Sequence, residues 1–140
     1  MRVPTLSEPI SHYCDAVCYG DMVYVSGCPP LDGEGNLVGG DDPTAQARQV
    51  IENLATILAA CGSSIGQILK VTVFLTHIED RQAVDVARRE AFGPARPAST
   101  LVEVSNLAIP GMRVEIEAIA AVDPAAVPVP TSTQPAKEST

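Results

Sequence analysis

The sequence predicts a single α/β domain of element order β-β-α-β-α-β-β, with both helices on one face of one sheet. Three observations predict it. Two segments repeat their apolar residues at helical spacing, five short runs are β-prone, and the last of those runs presents one face that is apolar throughout. At 140 residues and 46% hydrophobic content the chain matches one domain of roughly 100–200 residues and can build a core. With no Trp and only Phe74 and Phe92, that core must be filled by Val, Ile, Leu and Ala, which suits close helix-on-sheet packing.

The segment Tyr13 to Cys18, a turn at Gly20-Asp21 and the run Met22 to Ser26 predict a hairpin, because β-prone residues flank a Gly-Asp pair. The following PPLDGEGNLVGGDDP is dense in Gly, Pro and Asp and predicts a loop with a small hairpin around Leu37. From Pro43 to Cys61, Val50, Ile51, Leu54, Ile57, Leu58 and Cys61 recur at helical spacing; Asp42 is placed to cap, Pro43 suits the first turn and Gly62 the end. Leu69 to Thr76 alternates Leu69, Val71, Val73 and Leu75 against Lys70, Thr72, Phe74 and Thr76, the period of a strand. Asp80 to Phe92 carries Ala83, Val84, Ala87 and Ala91 at helical spacing behind a capping-type Asp and ends at Gly93-Pro94. Ser99 to Val104 and Arg113 to Val122 are the last strands, joined by a turn containing Pro110-Gly111.

The domain is expected to occupy residues 1–122. From Asp123 onward the sequence DPAAVPVPTSTQPAKEST lacks hydrophobic periodicity and predicts a disordered tail, since it cannot bury enough surface to offset ordering entropy. A formal net charge of −8 with no Lys/Arg cluster in sequence argues against nucleic acid as a partner. No run approaches the roughly 20 apolar residues of a membrane span, and the N-terminus has neither a basic start nor an apolar signal core, so a cytoplasmic protein is expected. Cys14, Cys18, Cys28 and Cys61 lack zinc or Cys-x-x-Cys spacing and are expected as free, mostly buried thiols, with no metal site.

The final strand sets Val114, Ile116, Ala118, Ala120 and Val122 on one face, which must take the helices. The other face mixes Arg113, Glu115 and Glu117 with Ile119, and Leu101 is expected to share that face with Ser99 and Glu103. A half-apolar outer face suggests burial between subunits. Buried there, Glu115 and Glu117 would lose water and become site candidates; otherwise both are solvated strand residues beside a Lys or Arg.

Five separated motifs carry a resemblance: Met22-Val23-Tyr24-Val25-Ser26-Gly27, Ala45-Gln46-Ala47-Arg48-Gln49, Val71-Thr72-Val73-Phe74, Glu90-Ala91-Phe92, and Val102-Glu103-Val104 with Val114-Glu115-Ile116-Glu117-Ala118-Ile119-Ala120. Through them the chain from about Tyr13 to Ala121 resembles the Rid (reactive intermediate deaminase, YjgF) family. The resemblance implies a chorismate-mutase-like fold, a mixed sheet with two helices on one face, three sheets packed into the barrel of a homotrimer, and sites between subunits. It also implies hydrolysis of enamines or imines to 2-keto acids and ammonia without a metal or organic cofactor, on a small anionic substrate. It carries Glu115 over as the residue that orients water, Tyr13 near the pocket entrance, and Ser26 and Gly27 in the pocket wall. Aligned on Val102-Glu103-Val104, Ser99 stands where the family has a carboxylate-clamping arginine, Leu101 where it has a cysteine, and Val86 where it has an asparagine.

Three further residues follow from their positions. Arg96, three residues before Ser99, is a candidate for the missing cation, against the alternative of a solvated loop arginine; Arg113 is a second candidate. Cys28, next to Ser26-Gly27, is either a pocket-wall residue with a reactive thiol or a small buried thiol. Two readings of function remain: a Rid-type hydrolase with an altered anion clamp, and a non-catalytic trimer that binds small metabolites or a partner.

Overall fold

The computed structural model describes residues 1–122, and the tail expected from Asp123 onward lies outside them. The described residues form one sheet of five strands in the order β1-β2-β5-β3-β4: β1 (Ala16–Tyr19), β2 (Met22–Cys28), β3 (Ile68–Leu75), β4 (Ala98–Glu103) and β5 (Val114–Ala121). β3 and β4 run parallel, and the other neighbours are antiparallel, so the sheet is mixed. Helices α1 (Pro43–Ala60) and α2 (Arg81–Phe92) follow β2 and β3, as the periodicities predict.

The core lies between the helices and the face of β5 formed by Val114, Ile116, Ala118 and Ala120. α1 contributes Val50, Leu54, Ile57 and Leu58, and its ends form as the sequence predicts. The Asp42 carboxylate accepts the Thr44 and Ala45 N–H groups at 2.9 and 3.3 Å, satisfying donors that the first turn leaves open. Gly62, one residue past the C-cap, adopts φ +76°, which any side chain would strain. The small hairpin in the long loop is a Leu31–Leu37 bridge, with Asp32 accepting the N–H groups of Glu34 and Asn36.

Three local expectations are corrected. A register shift between Ile68 and Lys70 against β5 sends Ile68 rather than Leu69 into the core, because a bulge adds a residue and inverts the alternation before it. Leu101 pairs with Val73 in the parallel ladder and packs against the core, so Ser99, Leu101 and Glu103 face the helices, and Thr100 and Val102 take the outer face. Asp80 stands at the start of α2 without making a capping bond. Its carboxylate instead forms a two-pronged pair with Arg113, at 2.7 and 2.9 Å.

Gln46 ties this corner together. Fully buried, its amide donates to the Gly40 and Gly111 carbonyls and accepts the Arg113 N–H, so every strong bond it offers has a partner. The turn before β5 is thereby fixed against α1, which sets where β5 begins and where Glu115 sits.

Candidate functional site

A second bulge builds the wall of a cavity beside β5. Between Val25 and Cys28, β2 has one residue more than β5, so Val25 lies opposite Ala118 and Cys28 opposite Ile116. Ser26 and Gly27 occupy the irregularity, directly over the Glu115 side chain. A Cβ on Gly27 would lie 2.8 Å from the Glu115 Cδ, closer than real contacts allow, so glycine is what admits the carboxylate here.

The cavity holds about 60 Å³, space for a few waters at about 10–15 Å³ per water-sized volume. Tyr13, Ser26, Gly27, Cys28 and Glu115 all line it, so the structure brings together five of the residues singled out in the sequence. Tyr13 sits at the rim with 46% of its surface exposed. The Ser26 hydroxyl donates to the Cys14 carbonyl at 2.7 Å, which leaves its oxygen lone pairs as acceptors. Asn53 of α1 holds the far wall by donating to the Pro29 and Leu31 carbonyls.

Glu115 is the chemically distinctive group. Burial holds its carboxyl above its ordinary pKa, and the neighbouring Glu117 carboxylate adds to the shift. A carboxylate tuned towards neutrality, in a cleft beside hydroxyl groups, is equipped to exchange a proton with a bound water.

Cys28 is the small buried thiol rather than a reactive one. It is 2% exposed, and burial, followed by the charges of Glu115 and Asp15, pushes its pKa far up, so the thiolate needed for nucleophilic attack is disfavoured. Of the other cysteines, all free, Cys14 and Cys61 are half-buried and Cys18 is exposed, so the expectation of mostly buried thiols holds only for Cys28. Iodoacetamide mapping of the native protein is expected to label Cys18 first and Cys28 only on unfolding. Rapid native labelling of Cys28 would contradict this placement.

Sequence reasoning missed the N-terminal wall. Leu6 to Ile10 closes one side of the cavity, held down by Arg2, which pairs with Asp15 and with Glu8 at 3.3 Å, and by the Val3 N–H bond to Asp15 at 2.7 Å. The available signal was the apolar trio Leu6, Pro9 and Ile10 beside an isolated Arg2, but nothing in its spacing shows where it docks.

Arg96, Ser99 and Leu101 are not in this cavity. Ser99 and Leu101 lie on β4, two strands from β5 and hence roughly 10 Å across the sheet, and Arg96 is exposed in the loop before it. Arg113 is engaged by Asp80. The candidate residues therefore form two groups, one at the β2 bulge and one at the β4 edge. Among the described residues, no three His, Cys, Asp or Glu side chains converge as metal ligands, and no helix is long and apolar enough to cross a membrane.

Residues 5–122 match the family model described as Endoribonuclease L-PSP. The chain is 40% identical over 114 residues to a RutC family protein of Pyrococcus horikoshii, covering 81% of this chain and 89% of that protein. It is 40% identical over 115 residues to the 2-iminobutanoate/2-iminopropanoate deaminase of Salmonella typhimurium, covering 79% and 88%. Among solved structures, a Yersinia pestis protein of the conserved Rid family superposes with a TM-score of 0.80 at 35% identity, covering 86% of this chain and 96% of that one. Escherichia coli TdcF with bound serine superposes with a TM-score of 0.79 at 31% identity, covering 86% and 95%.

Proposed function

Because the chain belongs to the Rid (YjgF, endoribonuclease L-PSP) family, we propose that it hydrolyses small 2-imino or enamine acids to 2-keto acids and ammonia. The observation that carries this reading is the half-buried Glu115 carboxylate, raised in pKa and seated against Gly27 in a cavity rimmed by Tyr13. In the proposed reaction a water adds its hydroxyl to the C=N carbon while a proton passes by way of Glu115 to nitrogen. The resulting carbinolamine loses ammonia as its hydroxyl proton moves to nitrogen and the C=O bond forms. Tyr13 orients the bound acid at the entrance, and Ser26 and Gly27 shape the wall. These steps draw on no metal or organic cofactor.

The working assembly in this proposal is a cytoplasmic homotrimer in which the β4 edge of one subunit closes the cavity of the next. Two observations support it: the candidate residues are divided between opposite parts of the sheet, and the sheet edge at β1 and β2 exposes Val17, Tyr19 and Tyr24. The charge of −8 favours a small-molecule substrate over RNA. The alternative, a non-catalytic metabolite-binding trimer, draws support from Ser99, a neutral residue at the position where the family resemblance places an arginine.

Generating 2-iminobutanoate in situ with an amino-acid oxidase, and following 2-oxobutanoate release with and without the protein, tests the two readings. Acceleration is expected; a folded trimer that leaves the rate unchanged would favour the binding protein.

A further inference from the structure

The chain carries a formal charge of −8, yet four of its arginines gather around α2 and the β4 edge. One groove of about 550 Å³ is lined by Arg88, Arg89 and Arg96 with Phe92 and Pro97; a second, of about 430 Å³, by Arg81, Arg88, Arg89 and Leu101. Asp85 is the one carboxylate on either lining. It is engaged by Arg89 at 2.7 Å, one helical turn away, so Asp85 and Arg89 largely neutralise each other.

Arg88, shared by both grooves, is different. It is half-buried and, among the described residues, no carboxylate lies within ion-pairing distance of it, whereas Arg2, Arg48, Arg89 and Arg113 each have one. Its one hydrogen bond among the described residues runs from Nη2 to the Ser99 Oγ, at 2.9 Å. A guanidinium has five N–H donors in a planar fork, so four remain for another partner. Burial lowers its pKa, and the charge of Asp85 opposes that shift without ion-pairing to it. The hydroxyl of Ser99 is a neutral tether: it aims the fork along β4 without cancelling its charge.

We propose that Arg88, aimed by Ser99, is the cation of an anion-binding site in the α2–β4 groove and receives the carboxylate of a small 2-keto or 2-imino acid. The choice of a carboxylate rests on the proposed function; the placement of the anion site rests on the groove itself. Arg96, exposed across the groove, raises the local potential without holding the ligand, and Phe92 supplies the apolar floor. A forked, bidentate contact explains why arginine rather than lysine stands at position 88.

The test is calorimetric titration of the full chain with 2-oxobutanoate, which keeps the carboxylate and lacks the hydrolysable C=N bond. Binding is expected to weaken at least tenfold in Arg88→Gln, a few-fold in Ser99→Ala, and by less than about threefold in Arg81→Gln and Arg96→Gln, with Arg88→Lys recovering part of the loss. Those four charge-changing or tether variants should melt within a few degrees of the parent, which separates loss of the site from loss of the fold. No measurable binding by the parent protein, unchanged binding in Arg88→Gln, or equal weakening in all three Arg→Gln variants would overturn the proposal. Parallel imine-hydrolysis assays separate it from the functional reading. An inactive parent with Arg88-dependent binding removes the hydrolase and keeps the site; an active parent whose KM survives Arg88→Gln removes the site and keeps the hydrolase.

Discussion

Replacing Glu115 with Gln is expected to lower the rate of 2-iminobutanoate hydrolysis by about 10²–10⁴-fold, the span that loss of a positioned acid–base group produces. Gln keeps the shape that packs against Gly27 but can neither accept nor return a proton. The proton-accepting form is the ionised one, so the rate of the parent should rise with pH through a value above the ordinary carboxyl pKa, and this limb should vanish in Glu115→Gln. Glu117 raises the Glu115 pKa through its charge, so Glu117→Gln should move the limb to lower pH without abolishing activity. Steady-state kinetics between pH 4 and 9, roughly the window in which a shifted carboxyl titrates, reads all three. A Glu115→Gln protein as fast as its parent would remove Glu115 from the chemistry.

The same residue makes a stability prediction of opposite sense. Its folded-state pKa lies above the unfolded value, so the folded state binds the proton more tightly, and its contribution to stability is lost as pH rises through the folded pKa. At neutral pH the ionised side chain therefore costs stability. Glu115→Gln should melt higher than the parent at pH 7, and the difference should close below the unfolded carboxyl pKa. A substitution that removes activity while raising the melting temperature is what a site residue, and not a packing residue, does.

Arg113→Met is expected to cost about 3 kcal/mol, the lower part of the range for breaking a buried ion pair, because it strands Asp80. The Asp80 carboxylate is 8% exposed and both its oxygens are taken by Arg113, whose own side chain is 25% exposed and so loses less water. Much of the effect is the unpaired charge rather than the lost contact, so adding Asp80→Asn should recover a large share of it. Urea unfolding of the single and double variants measures this; equal midpoints for Arg113→Met and the parent would show the pair to be dispensable. The Arg113 backbone N–H remains bonded to Gln46 in either variant, so the turn before β5 and the Glu115 position should survive.

The hydrophobic periods and the turn and capping residues beside them determined the element types, their order, the face of β5 that carries the helices, and the caps of α1. Each of these depends on residues close in sequence: an Asp42 that reaches N–H groups two and three positions ahead, a Gly62 that tolerates positive φ, an alternation that cannot be satisfied on both faces at once. The family resemblance also grouped Tyr13, Ser26, Gly27 and Glu115, with Cys28 next to them in sequence, and one cavity is lined by all five.

Only the tertiary structure decided the rest. A period of two says which residues share a face but not which strands are neighbours or where a bulge inverts the count, and so Ile68 replaced Leu69 in the core and Leu101 turned to the helices. A capping-type Asp80 and a free-looking Arg113 found each other across 33 positions, a pairing no local pattern encodes. The same holds for the N-terminal segment against Asp15 and for Arg88 reaching Ser99. In each case a long or charged side chain chose among several possible partners by geometry, which the fold supplies and the order of residues does not.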